Sequence, residues 1–254
     1  MRLFSRRSIR VWQRNGDVFF RLWHAEAPGF VAEPIIILLA MGLGLGAYVG
    51  LVDGQRYIEF IVPGLIAGYA MFSANFECTY GSFFRMEYQK TFDAIIATPL
   101  SIEDVTAGEI FWGATRAVMT GSFMLIVASS LQLVHSPWAI LIPIICLLEG
   151  ILFSAIALFF TSVVPSVYSF NYYYSLFITP MFFFSGVFFP LSSFPEIVQT
   201  LSWVVPLTPV VYITRAVMGG EFHTGFWGAL ALIIALIILF FSITLVSMRH
   251  RLMR

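Results

Sequence analysis

Charge is what this 254-residue sequence has least of. Only 11% of its residues are charged, against about 25% in soluble domains. With 59% hydrophobic residues and a mean hydropathy of +0.88, an ordinary soluble domain is excluded. Cysteine is also scarce. Cys78 and Cys146 fall in apolar segments, with no metal-ligand spacing to each other or to a histidine, and both read as small buried hydrophobes. The four histidines, His24, His135, His223 and His250, form no HExxH pattern, and no serine stands in a GxSxG context. No hydrolytic centre or metal set is therefore marked. The Walker A pattern is missing, so nucleotide chemistry is not expected from this chain. No repeat, low-complexity tract or soluble domain interrupts it, and no short apolar core with a small-residue cleavage site marks a removable signal peptide. Period-two alternation is missing as well: Ala229 to Ile243 is apolar on every face, which argues against a membrane β-barrel.

What is present is a series of apolar runs of roughly 20 residues, the length that crosses a hydrocarbon core as helix. Six spans are expected: Phe30 to Gly50, Phe60 to Tyr80, Ala107 to Leu131, Trp138 to Val163, Tyr168 to Phe189 and Phe226 to Ser247. The fold class is all-α integral membrane protein. One transmembrane domain, 1–254, divides into a segment 1–29 before the first span, a six-helix bundle over 30–248 and a tail 249–254. Arg2, Arg6, Arg7, Arg10, Arg14 and Arg21 precede the first span, Arg85 and Lys90 lie between spans two and three, and Arg249, Arg251 and Arg254 follow the last. That asymmetry places both termini on the cytoplasmic side.

Ahead of the first span, Arg7, Arg10, Arg14, Asp17, Arg21 and His24 recur every three or four residues, with Ile9, Trp12, Phe19, Leu22 and Trp23 opposite. An amphipathic helix from Ser5 to Glu26, lying along the membrane surface, is expected. Between Pro190 and Gly225, short apolar runs such as Ile197 to Val205 are broken by Pro195, Pro206 and Pro209, the pattern of re-entrant or interfacial helices. Gly42, Gly44 and Gly46 allow close helix contact in span one.

The segment FRMEYQKTFDAIIATPLSIEDVTAGEI, Phe84 to Ile110, combines charge with a helical pattern. Arg85, Glu87, Lys90 and Asp93 are expected to face water while Met86, Phe92, Ile95 and Ile96 pack inward. Pro99 ends that helix, and Ser101 with Asp104 opens the next as a capping box. Glu77, Glu109, Arg116 and Glu149 are ionisable groups inside spans and hence functional candidates. Glu109 and Arg116 stand two turns apart, so each is expected to find its partner on another element. Phe72, Phe76 and Tyr80 step by four along span two, and Phe183 belongs to an aromatic cluster ending span five; such rings either line a path or simply pack.

In these segments the chain resembles the type-2 ATP-binding-cassette exporter permeases, and among them the nodulation protein J group of lipo-oligosaccharide exporters. The likeness is carried by VDGQRYIEF at Val52 to Phe60, by the spaced residues Ala70, Met71, Phe76, Glu77, Tyr80, Phe84, Arg85, Met86, Glu87, Gln89 and Thr91, by GEIFWGATRA at Gly108 to Ala117, by ITPMFFFSGVFFP at Ile178 to Pro190, and by PLTPVVYITRAVM at Pro206 to Met218. Where nodulation members carry histidine and aspartate after the Pro-Leu pair, this chain reads Thr208-Pro209-Val210-Val211-Tyr212. The resemblance implies a coupling helix that docks on an ATPase, using Arg85, Glu87, Gln89, Lys90, Thr91, Phe92 and Asp93. It also implies a translocation path near Phe72, Phe76, Glu77, Tyr80, Glu109, Trp112, Arg116 and Phe183. The implied partners are a second permease copy, two ATPase subunits holding ATP and Mg, membrane lipids and an amphipathic cargo, with no nucleic acid. The implied setting is the bacterial inner membrane, with no catalytic, cofactor or metal site in this chain. A lipid-modifying membrane enzyme and an ATP-independent scaffold are the alternative readings.

Overall fold

The computed structural model describes residues 5–253, which are helical nearly throughout. Four helices are long and apolar enough to cross a membrane: Tyr57–Tyr88, Ile102–Ser130, Pro137–Val163 and Gly225–Leu252. Two bent helix pairs bring the count to as many as six.

The first bent pair, Ser8–Glu26 and Val31–Ala47, divides where the sequence separated the amphipathic helix from the first span. Helix α1, Ser8–Leu39, runs on through a π turn, Ala40–Gly44, and a 3-10 turn, Leu45–Ala47, with a 48° bend between its two parts. Pro28 and Pro34 lie inside it. Proline removes a backbone donor and crowds the preceding turn, so it bends a helix more readily than it ends one that is packed on both sides. The first half of α1 packs on α4, Ile102–Ser130. Val11 and Phe19 are buried, and Val11 closes so tightly on Gly108 that a Cβ there would come within 2.5 Å of it. Ile9, Leu22 and Trp23 are exposed.

Helix α2, Tyr57–Phe76, continues through π turns Glu77–Gly81 and Phe84–Tyr88, two turns beyond the expected end at Tyr80. At Lys90 the backbone turns left-handed (φ 51°). Short helix α3, Thr91–Ile96, follows with Phe92 fully buried and Asp93 exposed. The expected capping box opens α4. Ser101 Oγ accepts from Asp104 N at 3.2 Å, and the Asp104 carboxylate accepts from Ser101 N at 3.2 Å. Its other oxygen accepts from Ser5 N at 2.7 Å, so the same cap also anchors the start of α1.

Helix α5, Ile142–Val163, is preceded by the 3-10 turn Pro137–Leu141. The expected fifth span, Tyr168 to Phe189, is not one of the full-length spans. It is a chain of short pieces: a 3-10 turn Val167–Ser169, α6 Phe170–Tyr173, a π turn Tyr174–Ile178 and α7 Thr179–Phe184. Pro180 in the first turn of α7 removes a donor, and polar Asn171, Ser175 and three consecutive tyrosines dilute the apolar run. The chain then turns at Gly186 (φ 81°). As the prolines foretold, two short helices follow, α8 Glu196–Ser202 and α9 Leu207–Gly219, meeting at 88°. Helix α10, Gly225–Leu252, closes the bundle.

One face of α2 receives the broken span. Phe60, Gly64 and Gly68 step by four and so lie in line. A Cβ on Gly64 would meet Val187 Cα at 2.8 Å, and one on Gly68 would sit 2.1 Å from the Phe182 ring. Tyr173 OH ties the other end of the broken span to Asn75 Oδ1 at 2.6 Å. In the glycine run of span one, Gly42 meets Ile58 of α2, while nothing lies near Gly44. Cys78 and Cys146 are both free and buried.

The charged segments gather at one end of the bundle. Arg7 Nη1 donates to Pro99 O at 2.5 Å, Arg249 faces Glu103 at 3.7 Å, and Arg251 pairs with Glu87 at 2.7 Å. At the opposite end Glu59 is shared by Arg56 (2.5 Å) and His135 (3.8 Å).

Candidate functional site

The end that carries the charged segments also holds a cavity of about 630 Å³, lined from α1, α2, α4 and the broken span. Phe72 and Phe76 of α2, Trp112 of α4 and Tyr174 of the π turn give it aromatic walls. Its polar lining comes from Arg14, Glu26 and Glu33 of α1, Glu77, Arg85 and Gln89 of the α2 extension, and Arg116 of α4.

A set of ion pairs lies at the inner wall. Arg85 reaches Glu77 at 2.8 Å and Glu109 at 2.5 Å. Glu109 is fully enclosed, and its carboxylate also accepts from Asn15 Nδ2 at 2.8 Å and Ser82 Oγ at 2.7 Å. Arg116 faces Glu26 at 3.2 Å and Glu77 at 3.6 Å, with its guanidinium carbon 4.6 Å from the centre of the Phe19 ring. Buried carboxylates persist as ions only when charge partners and donors replace lost water. Glu109 meets that requirement through three different elements, so α1, α2 and α4 are locked together by one side chain.

Of the residues singled out from sequence, Glu77, Trp112, Arg116, Phe72 and Phe76 line this one cavity. Glu109 sits behind it, reached through Arg85. Tyr80 packs against Phe76, Phe170 and Tyr174. Phe183 lies apart, stacked on Phe188 and half exposed. As expected, Glu109 and Arg116 do not pair with each other. Arg85 differs from expectation: its side chain turns into the bundle rather than to water, because Glu77 on its own helix and Glu109 on α4 attract it more strongly than an exposed position would. Glu87, Gln89, Lys90 and Asp93 stay at least partly in contact with solvent, with Thr91 half buried and Phe92 buried. Three contributors were not singled out from sequence: Asn15, Ser82 and Gly81. Gly81 lies four residues from both Glu77 and Arg85, and a Cβ on it would stand 2.9 Å from Glu77 Oε1 and 3.3 Å from Arg85 Nη1. That spacing, an acid and a base flanking a glycine at helical intervals, was the available signal.

Residues 6–222 match the ABC-2 type transporter family. The chain belongs to that family. This ABC-2 permease is 36% identical over 255 residues to nodulation protein J of Rhizobium leguminosarum bv. trifolii, covering 97% of this chain and 94% of that one. It is 37% identical over 216 residues to nodulation protein J of Rhizobium meliloti (strain 1021), covering 84% and 81%. To the inner membrane transport permease YadH of Escherichia coli (strain K12) the identity is 27% over 222 residues, covering 86% and 82%. No solved structure matches. The relatives' names and the apolar helices agree on a multi-pass transport permease, and the family implies association with an ATP-binding-cassette ATPase.

Proposed function

We propose that the protein is the permease subunit of a bacterial inner-membrane exporter that moves an amphipathic, lipid-linked saccharide or related lipid outward by alternating access. The cavity carries this reading: it joins aromatic walls, suited to an acyl chain or a sugar face, to a balanced set of charges suited to a polar head. Two permease copies and two ATPase subunits would form the exporter, with ATP and Mg held by the ATPases. The end bearing Arg7, Glu87, Lys90, Arg249 and Arg251 would face the cytoplasm, following the positive-inside rule. The docking surface would be Gln89 to Asp93, where α3 presents Asp93 outward on a buried Phe92 anchor. Weighing against a lipid-modifying enzyme, Glu77, Arg85 and Glu109 are committed to one another in ion pairs.

The test is to pull the tagged protein from its native membrane in mild detergent, identify its partners by mass spectrometry and assay ATP hydrolysis in the eluate. A stoichiometric ATPase with activity is expected; its absence under conditions that preserve comparable complexes would overturn the exporter reading. In the reconstituted complex, Thr91→Ala with Asp93→Arg, which spares buried Phe92, should leave hydrolysis running while export fails. Unchanged export by that variant would remove α3 as the docking element.

A further inference from the structure

Arg215 of α9 sits at the end of the bundle opposite the charged segments and touches three elements. Nη2 donates to Gly186 O at 2.6 Å, with Val187 O at 3.5 Å and Phe60 O at 3.4 Å as longer contacts. The guanidinium carbon stands 3.8 Å from the centre of the Phe60 ring on α2. Gly186 and Val187 form the turn that ends α7, where helix carbonyls lack intrahelical donors and carry partial negative charge. Arg215 therefore pins the turn that follows α7 rather than the last carbonyls of the helix itself. The same turn is pinned to α2 one helical turn further along, because Gly64 lets Val187 approach within what would be 2.8 Å of a Cβ.

This clamp is incompletely satisfied. The partners of Arg215 are neutral carbonyls and a ring, Nε is enclosed without an acceptor, and among the described residues it forms no ion pair with a carboxylate. Yet it borders a second cavity of about 490 Å³ that holds Asp53, Glu59 and Glu221 together with Tyr212 and His135. A buried guanidinium gains more from charged acceptors than from carbonyls. Carbonyl acceptors on one side and carboxylates lining the same cavity on the other, with Asp53 and Glu221 in no ion pair among the described residues, are the two acceptor sets that a two-position element needs.

We propose that Arg215 is a latch: it holds the broken fifth span, α2 and α9 together in the closed state, and cargo exit requires it to release the Gly186 turn and turn to acceptors in the adjoining cavity. With the orientation proposed above, on which this inference rests, the latch closes the external end. The Phe60 ring guides the guanidinium between the two positions, as cation–π attraction is tolerant of sliding.

The test is thiol accessibility. Phe188 is 5% exposed, just past the clamped turn, and Cys78 and Cys146 are buried and give a low background. A chain carrying Phe188→Cys is labelled with a membrane-impermeant maleimide in right-side-out and inside-out vesicles, with Leu65→Cys in the bundle core as control. Arg215→Gln should raise the labelling rate at the introduced thiol about tenfold, the scale of one lost charge-assisted hydrogen bond. Arg215→Lys, which keeps charge but loses the planar fork, should fall between. An unchanged rate with Arg215→Gln, or an equal rise at the core control, would overturn the latch. A rise confined to inside-out vesicles would instead reverse the proposed orientation and leave the latch standing.

Discussion

Glu77 and Arg85 face each other at 2.8 Å across the bare backbone of Gly81. The pair spans two turns of the same extended helix and closes only because no side chain stands between its members. Gly81→Ala should therefore destabilise the protein by about 1–3 kcal/mol, the usual cost of overfilling a packed position, although alanine is the better helix former. Thermal denaturation in detergent reads the effect. In a Glu77→Gln background the same substitution should cost less, and strict additivity of the two would show that Gly81 does not serve the ion pair.

Arg85 neutralises two buried carboxylates at once. Arg85→Leu should cost about 3–5 kcal/mol, because it strands the enclosed Glu109 and leaves Glu77 with only the more distant Arg116. Arg85→Leu combined with Glu77→Gln and Glu109→Gln should recover much of that loss. Equal melting temperatures for the single and triple variants would refute the charge-balance account.

The carboxylate of Asp104 serves both the capping box and the amide of Ser5. Ser101→Ala should cost about 1 kcal/mol, the value of one N-cap. Asp104→Ala should also speed hydrogen exchange at the Ser5 and Ser8 amides. Exchange at the start of α1 that stays slow in Asp104→Ala would mean that Val11 on Gly108 and Trp12 on Thr115 suffice to hold it.

Gly64 and Gly68 share one face of α2 but meet different neighbours. At Gly68 the obstacle is the Phe182 ring, which a smaller side chain removes; at Gly64 it is the Val187 backbone. Gly68→Ala should be rescued by Phe182→Leu, while Gly64→Ala should remain destabilised in every side-chain background tested at Val187. Both follow in thermal shift assays, and rescue of Gly64→Ala by Val187→Ala would contradict the backbone contact.

Much of this architecture was legible because it depends on local chemistry. Ser101 and Asp104 announce the start of α4, Pro195 and Pro206 bound the two short helices, and the runs holding Ile142 to Val163 and Gly225 to Leu252 are long and predominantly apolar. The rest depends on contacts far apart in sequence. Nothing near Arg85 shows that its partner is Glu109, 24 residues on, so an arginine in a charged segment reads as solvated. The candidate cavity was half visible: the step of four along α2 put Phe72 and Phe76 together, but Asn15, Ser82 and Gly81 carry no mark of their own.

Arg251 donates to Glu87 at 2.7 Å and to Val164 O at 3.0 Å, a tie across 164 residues from the end of α10 to the segment proposed to meet the ATPase. That tie sets an order in biogenesis. While the ribosome is still delivering α10, the 87–93 segment lacks one of its fastenings, so a half-inserted chain presents a looser version of that surface. Recruitment of the ATPase would then favour chains whose α10 has docked, and a purification handle placed immediately after Arg251 would strain that contact.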